Sequence, residues 1–237
     1  ILNILAFIER KTNFLSIFMV ITIDGPAGVG KTTTAKKLAK KLGYQYLDTG
    51  AMYRAVTYFF GQNSVNINAQ DQVKKMLDIL KLELDFTSND GIIVLLDGED
   101  ISSLIRSEEI TNAVSRVSAL EAVREKIVEM QKETVRNGNF VVEGRDIGTV
   151  VFPDAKHKFF LVADYDIRAE RRLKDFKRVN EELNVNKIKQ DLTDRDQYDT
   201  SRKLSPLKQA KDAIVVDTSN CTIDNQVNQI YKHIERN

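Results

Sequence analysis

The feature that most constrains the fold is a glycine-rich loop that directly follows a β-branched run. Residues 20 to 23 read Val-Ile-Thr-Ile, and residues 25 to 32 fit the pattern G-x-x-x-x-G-K-[ST]. Residues 33 to 42 have helical character. Strand, loop and helix in this order predict a P-loop, whose backbone N–H groups hold phosphate. We therefore expect the chain to bind a nucleoside triphosphate together with Mg²⁺.

The residue types in this loop suit phosphate binding. Glycines allow tight turns that point successive N–H groups inward, and the following helix adds the positive end of its dipole. Lys31 supplies a charge for the β- and γ-phosphates, and the Thr32 hydroxyl is the predicted metal ligand. The predicted ATP-binding residues are Gly25, Pro26, Ala27, Gly28, Val29, Gly30, Lys31, Thr32 and Thr33. The loop alone does not distinguish a kinase from an ATPase or a GTPase.

Composition limits the remaining chemistry. The 237 residues fit one domain with insertions, and 35 Lys and Arg against 34 Asp and Glu argue against a general nucleic-acid binder. Cys221 is the only cysteine, and His157 and His233 are the only histidines, so we expect neither an intrachain disulfide nor a Cys or His metal cluster. A single cysteine favours the reducing cytoplasm.

The apolar first 18 residues do not fit a signal peptide, because the predicted strand begins at Val20 and no A-x-A cleavage site follows. Met19 resembles a natural start, and residues 1 to 18 are interpreted as an extension. No segment has the length of a transmembrane helix, so we expect no membrane partner.

Apolar runs alternate with helical segments along the rest of the chain. Strands are predicted at 44–47, 140–142, 158–162 and 213–216, and helices at 53–60, 121–136 and 167–176. This alternation is typical of a parallel sheet covered on both faces. The sequence therefore predicts an α/β fold of the P-loop NTPase type, with three layers and a five-stranded parallel sheet. Polar clusters follow the strands, at the edge where ligands gather in such sheets.

An insertion interrupts the alternation between about residues 63 and 112. Residues 82 to 86 alternate between apolar and polar, and residues 92 to 96 are apolar. A turn at Asp90-Gly91 would join them as an antiparallel hairpin beside the parallel sheet.

A second interruption runs from residue 164 to about 189. It is helical and carries Arg168, Arg171, Arg172 and Arg178. A solvated helix face would explain an isolated arginine run better, but its position after a central strand favours a mobile lid over the P-loop.

Two further segments suit a second anionic ligand. Residues 144 to 148, Gly-Arg-Asp-Ile-Gly, follow a predicted strand, and their glycines indicate close approach of a ligand. Arg195, Asp199 and Arg202 have the spacing i, i+4 and i+7, which puts them on one helical face. Arginine forks hold phosphate and a carboxylate accepts from ribose hydroxyls. A local Arg–Asp pair in the loop, and surface ion pairs on the helix, are the alternatives.

Together these motifs resemble those of the bacterial cytidylate kinases, which are nucleoside monophosphate kinases. The resemblance rests on the P-loop, on Asp-Thr-Gly-Ala-Met-Tyr-Arg at 48–54, on Gly-Arg-Asp-Ile-Gly-Thr-Val-Val-Phe-Pro-Asp-Ala at 144–155, and on Arg-Asp-x-x-Asp-x-x-Arg-x-x-x-Pro-Leu at 195–207. It implies a core at 19–62, 113–163 and 190–237, a monophosphate-binding insert at 63–112 and a lid at 164–189. Residues 1–18 fall outside it.

The resemblance also implies roles for individual residues. The CMP phosphate would be held by Arg54, Arg145 and Arg195. Cytosine would be read by Ser115, Arg124, Asp146 and Arg202, and Asp199 would hold the ribose. Thr49 stands where many members have serine, and either hydroxyl can contact the substrate. The catalytic residues would be Lys31, Arg145, Arg195, Arg168 and Arg172.

The reaction implied is ATP plus CMP or dCMP to ADP plus CDP or dCDP, by a monomer that uses Mg²⁺ and needs no general base. Asp24 and Asp146 are alternative acidic helpers for the metal. A kinase for another small acceptor, such as UMP or dTMP, is the nearest alternative. A GTPase is disfavoured because Asn186-Lys187-Ile188-Lys189 lacks the aspartate of N-K-x-D, and a nucleic-acid motor is disfavoured by charge and length.

Overall fold

A five-stranded parallel sheet forms the centre of the computed structural model, which describes residues 18–86, 91–177 and 185–236. In chain order its strands are β1 (Val20–Asp24), β2 (Gln45–Asp48), β6 (Phe140–Gly144), β7 (His157–Val162) and β8 (Ile214–Asp217). They lie in the spatial order β2-β6-β1-β7-β8, so the strand that leads into the P-loop is central. The predicted five-stranded parallel sheet is confirmed.

Helices cover both faces of this sheet and make three layers. The helices are α1 (Lys31–Leu42), α2 (Thr49–Gln62), α4 (Glu108–Val117), α5 (Glu121–Thr134) and α8 (Ile223–Glu235). Val141 of β6 packs on one face with α1 and α8, whereas its neighbours Phe140 and Val142 pack on the other face with α2, α4 and α5. Because successive strand residues enter opposite cores, the first three residues of β6 are all apolar.

The insertion is a small antiparallel sheet next to one helix. Helix α3 (Gln70–Asp78) precedes β3 (Leu82–Asp85), β4 (Ile93–Leu96) and the two-residue strand β5 (Glu99–Asp100). The predicted pairing of the two longer strands is confirmed, with Leu82 opposite Leu96. Asp90 of the predicted turn lies outside the described residues. The sequence patterns missed α3 and β5, because β5 is too short to show a period.

Two helices, α6 (Tyr165–Lys177) and α7 (Val185–Ser201), come after β7. We call them the lid helices, because the predicted lid at 164–189 includes α6 and the first residues of α7. Arg178 of the predicted lid and residues 1–17 of the predicted extension lie outside the described residues. The predicted boundaries after residues 112 and 189 fall inside α4 and α7, so the chain continues through both without a break in secondary structure. Across residues 18–86, 91–177 and 185–236, none of the helices combines the length and apolar character needed to cross a membrane.

Candidate active site

The carboxyl ends of β1, β2 and β6 open into a cleft of about 480 Å³. The predicted site residues that line it are Ala27, Gly28, Gly30, Lys31, Thr32, Thr33, Thr49, Arg54, Ser115, Arg124, Arg145, Asp146, Arg172, Arg195, Asp199 and Arg202. Of the remaining predicted P-loop residues, Gly25 and Val29 are buried, and the Pro26 carbonyl oxygen accepts a hydrogen bond from Lys31. The fold therefore brings residues from six distant segments into one cavity.

The P-loop has the conformation that its glycines allow. Gly25 adopts a φ of 149°, and a Cβ atom there would lie 2.3 Å from the carbonyl oxygen of Leu161, so only glycine fits. Lys31 begins α1, is buried, and donates from Nζ to the Pro26 carbonyl oxygen at 2.7 Å. Burial, and then repulsion from Arg145, lower the pKa of Lys31 well below its ordinary value. A negatively charged ligand in the cleft would relieve that repulsion.

Arginines give the centre of the cleft an excess of positive charge. Arg145 Nε donates to Asp199 Oδ2 at 2.9 Å, and Arg54 Nη2 donates to Asp48 Oδ2 at 2.9 Å. Arg195 has a buried Nε with no hydrogen-bond partner among the described residues. Burial, and then repulsion from Arg145, lower the pKa of Arg195 to about 9. A buried guanidinium beside another cation is electrostatically unfavourable, and such a residue indicates a binding site for an anion.

A separate buried ion pair lies at the end of the cleft near α4 and α5. The Arg124 guanidinium contacts Asp146 Oδ2, and Arg202 Nη2 lies 3.6 Å from Asp146 Oδ1. Burial raises the pKa of Asp146 although both arginines oppose the shift. Ser115 lines the same region, and the Tyr53 ring lies under the Arg124 guanidinium at 5.5 Å. Tyr53 belongs to the motif at 48–54, but no role was predicted for it from the sequence.

Glu143 and Asp48 are acidic residues of the cleft that the sequence analysis did not select, and Glu143 is the one beside the P-loop threonine Thr32. It lies near the end of β6, is buried, and accepts a hydrogen bond from the Tyr46 hydroxyl. The Thr32 hydroxyl lies within hydrogen-bonding reach of this pair. Burial raises the pKa of Glu143, and the charge of Lys31 opposes that shift. The signal was present in the alternation of β6, since Glu143 shares the strand face of Val141, which packs on the P-loop helix.

The two acidic residues expected near the metal already have other partners. Asp24 accepts from the backbone N–H groups of Ile147 and Gly148 at 2.9 and 2.7 Å, so it holds the loop after β6. Burial raises the pKa of Asp24 to about 6. Asp146 contacts arginines, as described above. Among residues 18–86, 91–177 and 185–236, no cluster of three or more His, Cys, Asp or Glu side chains could hold a metal ion.

The arginines around the cleft divide by position. Arg172 lines it as predicted, and so do Arg171 and Arg106, which were not selected from the sequence. Arg168 instead lies against the outer side of the P-loop, where Nη1 donates to the carbonyl oxygen of Ala27 at 3.2 Å. The periodicity of the sequence could not show that Arg168 lies apart from Arg171 and Arg172, because helix α6 is charged around most of its circumference.

The chain is similar in sequence to known proteins. The sequence profile of the cytidylate kinase family matches residues 21–236. A cytidylate kinase of Protochlamydia amoebophila (strain UWE25) is 44% identical over 219 residues, which cover 91% of this chain and 96% of that protein. A cytidylate kinase of Ligilactobacillus salivarius (strain UCC118) is 46% identical over 217 residues, which cover 91% and 96%.

Among solved structures, an uncharacterized protein from Eubacterium ventriosum ATCC 27560 is similar in fold. Its TM-score is 0.51 at 14% identity, and the match covers 92% of this chain and 99% of that one. At this identity the likeness concerns the fold alone. The sequence relatives and the family profile carry the assignment, because they extend over nearly the whole chain. The chain belongs to the cytidylate kinase family.

Proposed function

We propose that this chain transfers the γ-phosphoryl group of ATP to the phosphate of CMP or dCMP, giving ADP and CDP or dCDP. The observation that carries the proposal is the buried Asp146–Arg124 ion pair in the same cleft as the P-loop. A carboxylate has about four acceptor positions, so Asp146 keeps the capacity to accept from the exocyclic amine of cytosine. Uracil presents a carbonyl there, and two acceptors would face each other. Family membership supports the same acceptor.

The proposed catalysis is alignment and charge neutralisation. An oxygen of the CMP phosphate attacks the γ-phosphorus of ATP, and the bond from that phosphorus to the β–γ bridging oxygen breaks. The attacking oxygen is already anionic, so no residue needs to remove a proton. Lys31 neutralises charge on the ATP phosphates, and Arg145 and Arg195 neutralise charge on the acceptor and the transferring group.

The remaining substrate contacts follow the same division. Arg54 holds the acceptor phosphate with Arg145 and Arg195, and Asp199 holds the ribose. Thr49 contacts the CMP molecule and Ser115 reads its base. Arg172 closes over ATP from the lid. The insert at 63–112 would move towards the core at 19–62, 113–163 and 190–237 when both substrates bind, whereas the lid at 164–189 already contacts the P-loop through Arg168. A monomer suffices for this reaction, because one chain supplies every residue named. The single cysteine favours the cytoplasm, and the nearly balanced charge disfavours a nucleic-acid partner; no membrane partner is proposed.

Mg²⁺ fits the oxygen donors beside the P-loop. The Thr32 hydroxyl and the buried Glu143 carboxylate would hold it, together with phosphate oxygens of the substrate. The pKa of Glu143 is raised by burial. This fits a buried carboxylate whose metal ion binds only together with the nucleotide. When bound, the ion neutralises charge on the β- and γ-phosphates.

Coupled measurement of ADP release tests this function. The protein is assayed with ATP and each of CMP, dCMP, UMP, dTMP, AMP and GMP, with a control that lacks any acceptor. We expect rapid turnover with CMP and dCMP and little without an acceptor. Preferred turnover of UMP or dTMP would favour a kinase for another small acceptor, and equal turnover without acceptor would favour an ATPase.

A further inference from the structure

The backbone of one P-loop residue, Ala27, is held from the lid side by two charged residues. The N–H group of Ala27 donates to Asp196 Oδ1 at 3.3 Å, and the carbonyl oxygen of Ala27 accepts from Arg168 Nη1 at 3.2 Å. The same Arg168 Nη1 lies 2.6 Å from Asp196 Oδ2. Arg168 belongs to α6 and Asp196 to α7, so each lid helix contributes one residue. We call this arrangement the Ala27 clamp.

Apolar packing occurs at the same place. Ala27 shares a small buried cluster with Ala169, Ile188 and Leu192 of the two lid helices. The adjacent Gly28 adopts a φ of 77°, and a Cβ atom there would lie 3.2 Å from both the Cβ and the carbonyl oxygen of Arg168. The P-loop and α6 are therefore in backbone contact, and the clamp fixes the loop to the lid.

The position of Asp196 on its helix links the two substrates. Arg195 and Asp199 on α7 line the cleft, whereas Asp196, one residue after Arg195, turns to the P-loop. Helix α7 thus carries acceptor-binding residues on one side and a contact to the ATP-binding loop on the other. Any shift of α7 relative to Ala27 would change the distance between the two phosphates.

We propose that Asp196 and Arg168 are positioning residues that set the distance between the ATP and CMP phosphates by holding α7 on the P-loop. The inference rests on the proposed function and assigns Arg168 a place behind the loop instead of a contact with the transferring group. Arg168 is buried and Asp196 is partly buried, so loss of Asp196 leaves the Arg168 charge without this partner, and the two residues should act as a unit. Misalignment of reacting groups by about 1 Å can cost about 100-fold in rate.

Kinetics of single and double variants test the clamp. For Asp196→Ala and for Arg168→Met we expect kcat to fall about 10- to 100-fold, with each KM changed less than about threefold. The double variant should lose no more than the worse single variant. Asp196→Asn keeps an acceptor for the Ala27 N–H group but loses the charge, and its kcat should lie between those of wild type and Asp196→Ala. The matched control is Asp194→Asn, an exposed residue on the same helix.

Two results would overturn the clamp: a kcat of Asp196→Asn and Asp196→Ala within twofold of wild type, or losses in the double variant that multiply. Losses that track melting temperature while kcat of the folded fraction is unchanged would also overturn it, because they indicate a structural role only. Each variant is compared with wild type on whichever monophosphate wild type uses best. Failure of wild type on CMP would therefore reject the proposed function and still leave the clamp measurable.

Discussion

The two sides of the cleft are built by different means. The proposed ATP side consists of consecutive residues, 25 to 33, whose backbone conformation and single lysine do most of the binding. The proposed acceptor side consists of side chains from distant segments, among them Arg54, Arg124, Asp146 and Arg202. A site made of backbone is specified locally, whereas a site made of side chains exists only when the fold assembles it. We therefore expect the function of the ATP side to depend mainly on one residue, and the function of the acceptor side to depend on pairs of residues.

The strongest test of the local side is Lys31→Met. We expect kcat to fall by about 1,000-fold or more, because Lys31 stabilises charge that develops during transfer. Steady-state kinetics with CMP and circular dichroism of the folded protein would measure this. Lys40→Met, an exposed change on the same helix, is the control and should retain activity. Unchanged turnover of Lys31→Met would remove the P-loop lysine from the mechanism.

The strongest test of the assembled side is Asp146→Ala. We expect the ratio of kcat/KM for CMP to that for UMP to fall towards one, through a loss on CMP of about 100-fold or more. The KM for ATP should change little, because Asp146 lies among arginines away from the P-loop. The exposed Asp154→Ala serves as control. If the variant kept the full preference for CMP, Asp146 would not read the base.

Glu143→Gln examines the place where the two sides meet. We expect the Mg²⁺ concentration for half-maximal activity to rise about 10-fold, as is typical when a group that supports a metal is lost. Tyr46→Phe removes only the hydrogen bond to Glu143 and should shift this concentration less. The exposed Glu125→Gln should behave as wild type. A Mg²⁺ dependence equal to wild type in Glu143→Gln would exclude this carboxylate from the metal site.

The smallest expected effect concerns stability and pH. Asp24 ends the strand before the P-loop but holds the loop that carries Asp146, and burial raises its pKa from 3.8 to about 6. The folded state then binds more protons than the unfolded state between these pH values. Relative to Asp24→Asn, the free energy of unfolding of wild type should fall by at most about 3 kcal/mol as pH rises from about 4 to about 6. Denaturant unfolding of both proteins at several pH values would measure this difference. If the free energies of unfolding of wild type and Asp24→Asn changed equally with pH, the raised pKa of Asp24 would be contradicted.

Much of the fold could be predicted because its signals are local. The apolar runs that became β1, β2, β6, β7 and β8 were visible as buried strands. In the hairpin, β3 showed a period of two and β4 was visible as an apolar run. Helix α3 was missed although its buried residues Val73 and Leu77 have helical spacing, and β5 was missed because a strand of two residues shows no period. Candidate site residues were found where a motif has fixed spacing. The directions of their side chains were not predictable.

Arg168 and Glu143 show why the rest required the structure. Arg168, Arg171 and Arg172 are near neighbours on one helix, yet the first contacts the back of the P-loop and the other two line the cleft. Glu143 stands beside the quoted Gly-Arg-Asp motif, but its approach to Thr32 depends on the pairing of β6 with β1. Such contacts join residues more than a hundred positions apart, and the periodicity of the sequence does not indicate them.

The sequence by itself determined the phosphate-binding loop, the parallel sheet and the chemical character of each motif, because glycine conformation, hydrophobic alternation and charge act over a few residues. The tertiary structure alone decided which charges meet: Asp146 with Arg124, Arg145 with Asp199, and Asp196 with both Arg168 and Ala27. The physical reason is that electrostatic and hydrogen-bond energies depend on distance in space. Distance in space is set by the packing of α5, α6 and α7 around the sheet.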